Sequence, residues 1–508
     1  MRPRLSLLDD ALVAQILEEA FELLIEPGVR VGSKCAIELL EHAGVRVHDG
    51  IAHIPKGLVH SALASAPKEF WLYNRQGERV VHYGGDSVQF DPGSSCLNVL
   101  DAETERSRSA RARDLVCLVQ IAEMLPEYAA QSTAMVCNDV PSEIGDSYRL
   151  FVVLTYSNKP VVTGAFSART LQAMLDLLVA DAGSQDALRE KPRAIFDVCP
   201  SPPLNWSAFA SENLVQLARA GVPAEMVSMP LAGATAPVTL SGSVVQHAAE
   251  CLSGIVIHQL AAPGMPIVWG GAPAIFDMST GGTPMGAIET AMLNCACAQI
   301  GKSLSLPTHG YMVATESRLV DAQAGMESSA SAIAGALTGI NMISGAGMLD
   351  SLACHSIEKL VIDAEIIASA QRLVGGIEQR SKHLATHMFA EIGLSGEFLK
   401  LRETRTLFRS EQHFPSSVIE RGVVAGANDN VSNTFQRARA RVEELLVSYC
   451  RPSIDPEKAG AMRAVVEREA KRVGLTALPG INPEDLEGAA ATSAEASARE
   501  ATTATAES

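Results

Sequence analysis

Apolar residues recur at helical spacing over residues 9–24 and again over 33–42, where Gly44 ends the pattern. Residues 1–87 therefore read as an N-terminal helical cap. From residue 94 onward the pattern changes to short β-branched or apolar runs, each followed by a loop and a longer segment of Ala, Leu and Glu. Eight such runs fall at 96–100, 133–137, 160–164, 194–199, 225–229, 266–269, 303–307 and 339–344. Eight strand-then-helix repeats predict an α/β fold, a (β/α)8 TIM-type barrel over 88–356 with N-terminal and C-terminal helical extensions. A doubly wound sheet is the competing architecture. Against it, the first strand-to-helix turn lacks G-x-G-x-x-G, and Gly345-Ala346-Gly347 lacks the third glycine. The helical pattern runs on as an extension over 357–482, clearest in the amphipathic stretch 435–446. Residues 483–508 are Ala, Thr, Ser and Glu without a hydrophobic pattern and read as a disordered tail.

Composition narrows the class of partner. At 508 residues and 47% apolar the chain can bury a large core. Its 58 acidic and 41 basic side chains leave a net charge of −17, which opposes nucleic acid and anionic membranes. Arg106, Arg108, Arg111 and Arg113 alternate with small residues, but Glu103, Glu105 and Asp114 flank them, and the run reads as a solvated helix start. Ten cysteines without a Cys-x-x-Cys pair, several of them in apolar runs (Cys137, Cys199, Cys251), suit reduced, buried thiols. Asp9 and Asp10 interrupt the N-terminal leucines before a signal core forms, and no uninterrupted apolar run approaches the ~20 residues of a membrane span. A cytoplasmic protein is expected.

The polar interruption at 315–327 sits between the seventh apolar run and a small-residue helix, a connection of the kind that usually holds function. It contains Asp321-Ala322-Gln323-Ala324-Gly325 and Glu327, and is followed by Gly345-Ala346-Gly347-Met348-Leu349-Asp350 and by Ser356 to Asp363. Further blocks are Asn138-Asp139-Val140-Pro141, the stretch 197–204, the stretch 229–237, and Asp277 to Gly281 with Glu289. Taken in chain order, the blocks resemble the trimethylamine methyltransferase superfamily, and they span about 90–450. The resemblance implies a (β/α)8 barrel that passes a methyl group from an amine to cob(I)alamin on a separate corrinoid protein. Archetypal members carry pyrrolysine in the corresponding loop; here 315–327 holds only ordinary residues. The nonpyrrolysine branch, which includes glycine betaine methyltransferase, is the one resembled, so a quaternary amine is the expected substrate. The alternatives are a trimethylamine-type enzyme with altered substrate and a non-catalytic betaine-binding barrel.

Displacement from a quaternary ammonium releases a neutral amine, so the protein's main task is to align the methyl carbon with the nucleophile. Positive charge is lost in the transition state, and aromatic faces hold such a cation more gently than a carboxylate does. Trp206, Trp269, Phe276 and Tyr311 are the candidates for the ammonium pocket, with packing of barrel against helices as the other reading of each. Arg318, after the seventh run, is the candidate clamp for a substrate carboxylate, and Asn205 a candidate amide donor. His355 is a catalytic candidate after the eighth run. Asp321, Gln323 and Glu327 are carried over from the family block, although Glu327 also suits a helix start.

Cys295, Cys297 and His309 suggest zinc, but two cysteines two apart on a helix face different ways, and no metal is expected. The chain lacks an Asp-x-His-x-x-Gly block to supply cobalt's lower ligand, so no cofactor is expected on this chain; cob(I)alamin arrives on the partner. The C-terminal helices make a homo-oligomer an open expectation.

Overall fold

The structure, a computed structural model, describes residues 2–422 and 432–481. The expected tail at 483–508 lies outside the described residues. Its centre is eight short parallel strands, each followed by a helix. The strands are β1 (Gln89–Pro92), β2 (Gln131–Ser132), β3 (Val161–Gly164), β4 (Ala194–Val198), β5 (Ala224–Met226), β6 (Ile267–Val268), β7 (His309–Tyr311) and β8 (Met342–Ala346). The helices that follow them are α1 (Ala112–Met124), α2 (Gly145–Tyr156), α3 (Ala168–Ala182), α4 (Ala208–Ala220), α5 (Leu240–Ala261), α6 (Ile288–Ser303), α7 (Ala322–Thr338) and α8 (Ile357–Val374).

Strands β2 to β6 form one parallel sheet in sequence order, and β7, β8 and β1 form a second. Two junctions connect them. Trp269, just past β6, bridges in parallel to Thr308, just before β7. At the other edge the Ala129 amide donates to the Phe90 carbonyl at 3.0 Å and the Ser132 hydroxyl to the Gly93 carbonyl at 2.9 Å. Helices cover the sheets, so the strands read as apolar runs rather than as alternating ones.

Three strands differ from their expected positions. The run 96–100 is not the first core strand: Asn98–Asp101 forms an antiparallel hairpin with Arg106–Ser109, and the core strand lies earlier, at Gln89–Pro92. The arginine run is thus an exposed edge strand, and the helix starts only at Ala112, with Asp114 accepting the Arg111 amide at 2.9 Å. The run 303–307 closes α6 and turns through Ser305 at φ 57°, and β7 begins at His309. At 133–137 the chain has already left β2, whose two residues are the buried polar Gln131 and Ser132. In all three places a polar side chain inside the protein breaks the apolar signal.

Residues 1–87 hold more than helices. Val29–Val31, Arg46–His48 and Ile51–His53 form an antiparallel ladder, and Phe70–Tyr73 pairs with Arg79–Tyr83 in a hairpin. That hairpin places Leu72, Val81 and Tyr83 against Ala130, Val162, Ile195, Val268 and Met342, at the N-terminal ends of the core strands. It therefore plugs one end of the strand assembly and leaves the other for the connecting loops.

Helix α5 is long and apolar enough to cross a membrane by composition alone, but 83% of its apolar window is buried inside the protein. It packs against the N-terminal helices Asp10–Ile25 and Lys56–Ser65 and against α4 and α6, which explains apolar residues on every side. Beyond residue 356, α8 completes the eighth repeat, Thr434–Ser448 packs on it, and Pro456–Arg472 packs on α3. The cysteines are all free, and Cys199, expected to be buried, is exposed at the end of β4.

Candidate active site

A cavity of about 410 Å³ lies at the C-terminal ends of the strands. Its lining comes from the connections after β1, β3, β4, β5, β6 and β8, from Tyr311 of β7, and from one face of α4. Phe166, Val198, Phe209, Met229 and Leu352 make most of the wall apolar.

The polar groups divide into two sides. On one side are Ser94 and Ser95. The Ser94 amide donates to the Tyr311 hydroxyl at 2.6 Å, fixing the turn after β1. Behind Ser95 lies Arg149, which donates to the Ser95 hydroxyl at 3.0 Å, to the Thr133 carbonyl at 2.8 Å and to Asp146 at 2.9 Å. Its guanidinium also stacks 5.3 Å from the Phe166 ring centre. Arg149 is 1% exposed, yet its charge stands directly behind the cavity wall.

Opposite is a group of carboxyls. Asp197, at the end of β4, opens to the cavity, and burial pushes its carboxyl up to about 7. Next to it Glu225 of β5 is fully buried, and burial followed by the Asp197 and Asp91 charges raises it well above the usual carboxylate range. Tyr83, from the plugging hairpin, donates to Glu225 Oε2 at 3.0 Å. Asp91 of β1 is also raised by burial, although the Ser344 hydroxyl donates to it at 2.6 Å.

His309 Nε2 lies 3.0 Å from the Ser344 hydroxyl, and its Nδ1 faces Glu225 Oε1 at 3.3 Å. Burial lowers His309 to about 3, so the ring is neutral and the contact with Glu225 is not an ion pair. Asp91 Oδ2 and Asp197 Oδ1 remain buried without partners.

Of the aromatic candidates only Tyr311 lines the cavity. Trp206 and Trp269 are fully buried and donate to Ser253 Oγ and the Cys297 carbonyl, each at 2.9 Å, so both pack the core rather than a pocket. Phe276 is half-buried on the connection after β6, away from the lining. Asn205 pairs with Arg30 of the N-terminal ladder and faces another groove.

The 315–327 connection is occupied with itself. Arg318 is 84% exposed in its side chain and pairs with Asp350 at 3.0 Å. Asp321 caps α7 by accepting the Ala324 amide at 3.1 Å, and Gln323 donates to Glu327 at 2.9 Å. Glu327 accepts from the Thr315 hydroxyl and, at 3.1 Å, from the Glu316 amide. None of these four lines the cavity. His355 is buried against Gly347, lowered to about 3 by burial, with both ring nitrogens unpartnered; it too stands outside the lining.

Of the residues at or behind this cavity, Asp91, Arg149, Phe166 and Glu225 were not singled out from the sequence, and Asp197 and Ser344 were noted only within longer stretches. A signal existed in Phe196-Asp197-Val198 and Ala224-Glu225-Met226, each an acid inside an otherwise apolar strand.

A family model described as trimethylamine methyltransferase (MTTB) matches residues 1–474. The chain belongs to this family. Its relatives include the trimethylamine methyltransferase MttB of Desulfitobacterium hafniense (strain DSM 10664 / DCB-2), 29% identical over 473 residues, covering 92% of this chain and 94% of that one. The glycine betaine methyltransferase of Desulfitobacterium hafniense (strain Y51) is 27% identical over 474 residues, covering 93% and 98%. Among solved structures, the Methanosarcina barkeri monomethylamine methyltransferase is similar in fold, with a TM-score of 0.50 at 13% identity over 93% of this chain and 90% of that one. Membership makes the chain a methyltransferase, with a fold built on parallel strands and helices as expected.

Proposed function

We propose that this enzyme moves a methyl group from a quaternary amine, glycine betaine or a related betaine, to the cobalt(I) corrinoid of a separate protein. On the same reading the eight parallel strands close into a (β/α)8 barrel whose loop end holds the reaction. The observation that carries the substrate class is the polarity of the cavity: an apolar chamber with Arg149 and two serines on one side and the Asp197 carboxyl on the other. A betaine has that shape, an anionic carboxylate and a bulky cation joined by a short apolar link. Ser94 and Ser95 take the carboxylate, with Arg149 positioning Ser95 and supplying the field behind it. Phe166 and Phe209 exclude water around the methyl groups.

When docked, the corrinoid supplies the nucleophile that takes the methyl group, while the C–N electron pair stays on the departing amine. The chain's contribution is alignment, with reacting atoms held near ~3–3.5 Å. The loop end suits a protein partner bringing that group. Leu97, Phe166, Val238, Met278, Leu319 and Met326 are all exposed there, at 61%, 64%, 70%, 72%, 42% and 72%, on the connections after β1, β3, β5, β6 and β7 and at the start of α7. Exposed apolar side chains grouped on one face mark a contact surface.

Purified protein mixed with free cob(I)alamin and a panel of glycine betaine, proline betaine, carnitine, choline and trimethylamine tests this directly. Formation of methylcob(III)alamin from a carboxylated quaternary amine is expected. Turnover of trimethylamine alone would overturn the substrate assignment, and binding of a betaine without transfer, even with a corrinoid protein present, would make the chain a binding barrel.

A further inference from the structure

Three carboxyls, Asp91, Asp197 and Glu225, converge inside the strand assembly, Asp197 and Glu225 in register on neighbouring strands, and the His309 that faces Glu225 is neutral. Only Asp197 opens to the cavity, and each of the three keeps one buried oxygen without a partner. Full ionisation of adjacent buried carboxyls is prohibitive without a cation, so the empty site stores protons. A cationic ligand in the cavity changes that balance, because it supplies the charge the cluster lacks.

We propose that the carboxyl cluster exchanges a proton for the substrate's cation, with the ammonium settling against Asp197 as the Asp197 O–H bond breaks and its proton leaves to solvent. Transfer then breaks the C–N bond, leaves the electron pair on a neutral amine, and removes the positive charge that held Asp197 ionised. Asp197 takes a proton back from solvent. The amine end of the cavity is thus near neutral before binding, during occupancy and after transfer, and the product's uncharged amine faces a protonated carboxyl that no longer retains it. The inference rests on the quaternary-amine reading of the cavity.

The groups facing Asp197 are Glu225, Asp91, Tyr83, Tyr311 and Cys199, with His309 beyond Glu225. Burial holds the Glu225, Asp91 and Tyr311 protons in place, as it does for Tyr83, and it pushes His309 down to about 3. Between pH 5 and 8, Asp197 at about 7 is therefore the group that releases the proton.

The test is calorimetric titration of the full chain with glycine betaine, without corrinoid, so that no methyl transfer intervenes. Runs in buffers of different ionisation enthalpy count the protons released. Release of more than about half a proton per ligand is expected at pH 6, falling by pH 8, with affinity rising severalfold from pH 5 to 6. Asp197→Asn should bind without measurable release and without that pH dependence, its thermal unfolding confirming that it is folded. Betaine binding without proton release from the wild type at pH 6, or with equal release from Asp197→Asn, overturns this inference and leaves the substrate reading standing. Absence of betaine binding at every pH overturns both.

Discussion

Replacing Arg149 with Met removes the cation behind Ser95 while keeping its length. The guanidinium is 1% exposed and donates to Asp146, Ser95 and Thr133, so its loss leaves the buried Asp146 carboxylate facing an apolar group. Breaking a buried pair from one side costs about 3–5 kcal/mol. Asp146 keeps two donors, the Phe166 amide and the Thr170 hydroxyl, both at 2.7 Å, which places the loss near the low end, about 3 kcal/mol. Adding Asp146→Asn removes the stranded charge and should return about 1–2 kcal/mol, the worth of not leaving a charged group unpaired. Urea unfolding followed by circular dichroism on wild type, both single variants and the double gives the coupling energy. A loss below about 1 kcal/mol for Arg149→Met, or purely additive effects, would show that the pair does not support the wall. In activity, the same variant should raise KM for a betaine about fivefold through the freed Ser95, one hydrogen bond's worth.

Other consequences are equally specific. Arg318→Ala should leave KM for betaine within about twofold, because an exposed pair of this kind carries under about 1 kcal/mol, and a large rise would return Arg318 to the binding site. Asp197 is raised in the folded state, so the stability linked to its proton is complete below about pH 4 and is lost as pH climbs toward 7. Asp197→Asn should therefore melt above wild type at pH 8 and approach it at pH 4; parallel melting curves across that range would refute the assignment. Gly345→Ala should disrupt the end of β8, since φ is 116° and the added methyl would lie 1.9 Å from the Met312 carbonyl; an unchanged melting temperature would contradict it.

The eightfold alternation was legible because helix-covered parallel strands leave apolar runs, as at Ala194–Val198 and Met342–Ala346. It blurred where the interior itself is polar: Gln131 and Ser132 hid β2, and His309 hid the start of β7. The N-terminal hairpin was missed because Phe70–Tyr73 and Arg79–Tyr83 gain their meaning from the strand ends they plug. Site residues were harder to see than the fold. Loop aromatics and charges such as Trp206 and Arg318 draw attention in a sequence, but Trp206 packs the core and Arg318 pairs in solvent. The acids gathered at the cavity lie within strands, Asp197 and Glu225, and the Tyr83 and His309 that meet Glu225 lie at least 80 positions away from it. Tyr311 does line the cavity, since its place at a strand end is local information.

The most direct measurement of the central claim follows the methyl group itself. Glycine betaine carrying three deuterated N-methyl groups is incubated with the protein, free cob(I)alamin and an equal concentration of unlabelled trimethylamine, and the corrinoid is analysed by mass spectrometry. The account predicts methylcob(III)alamin bearing the deuterated methyl, with dimethylglycine formed in equal amount. Unlabelled methylcob(III)alamin as the main product, with betaine untouched, would contradict it.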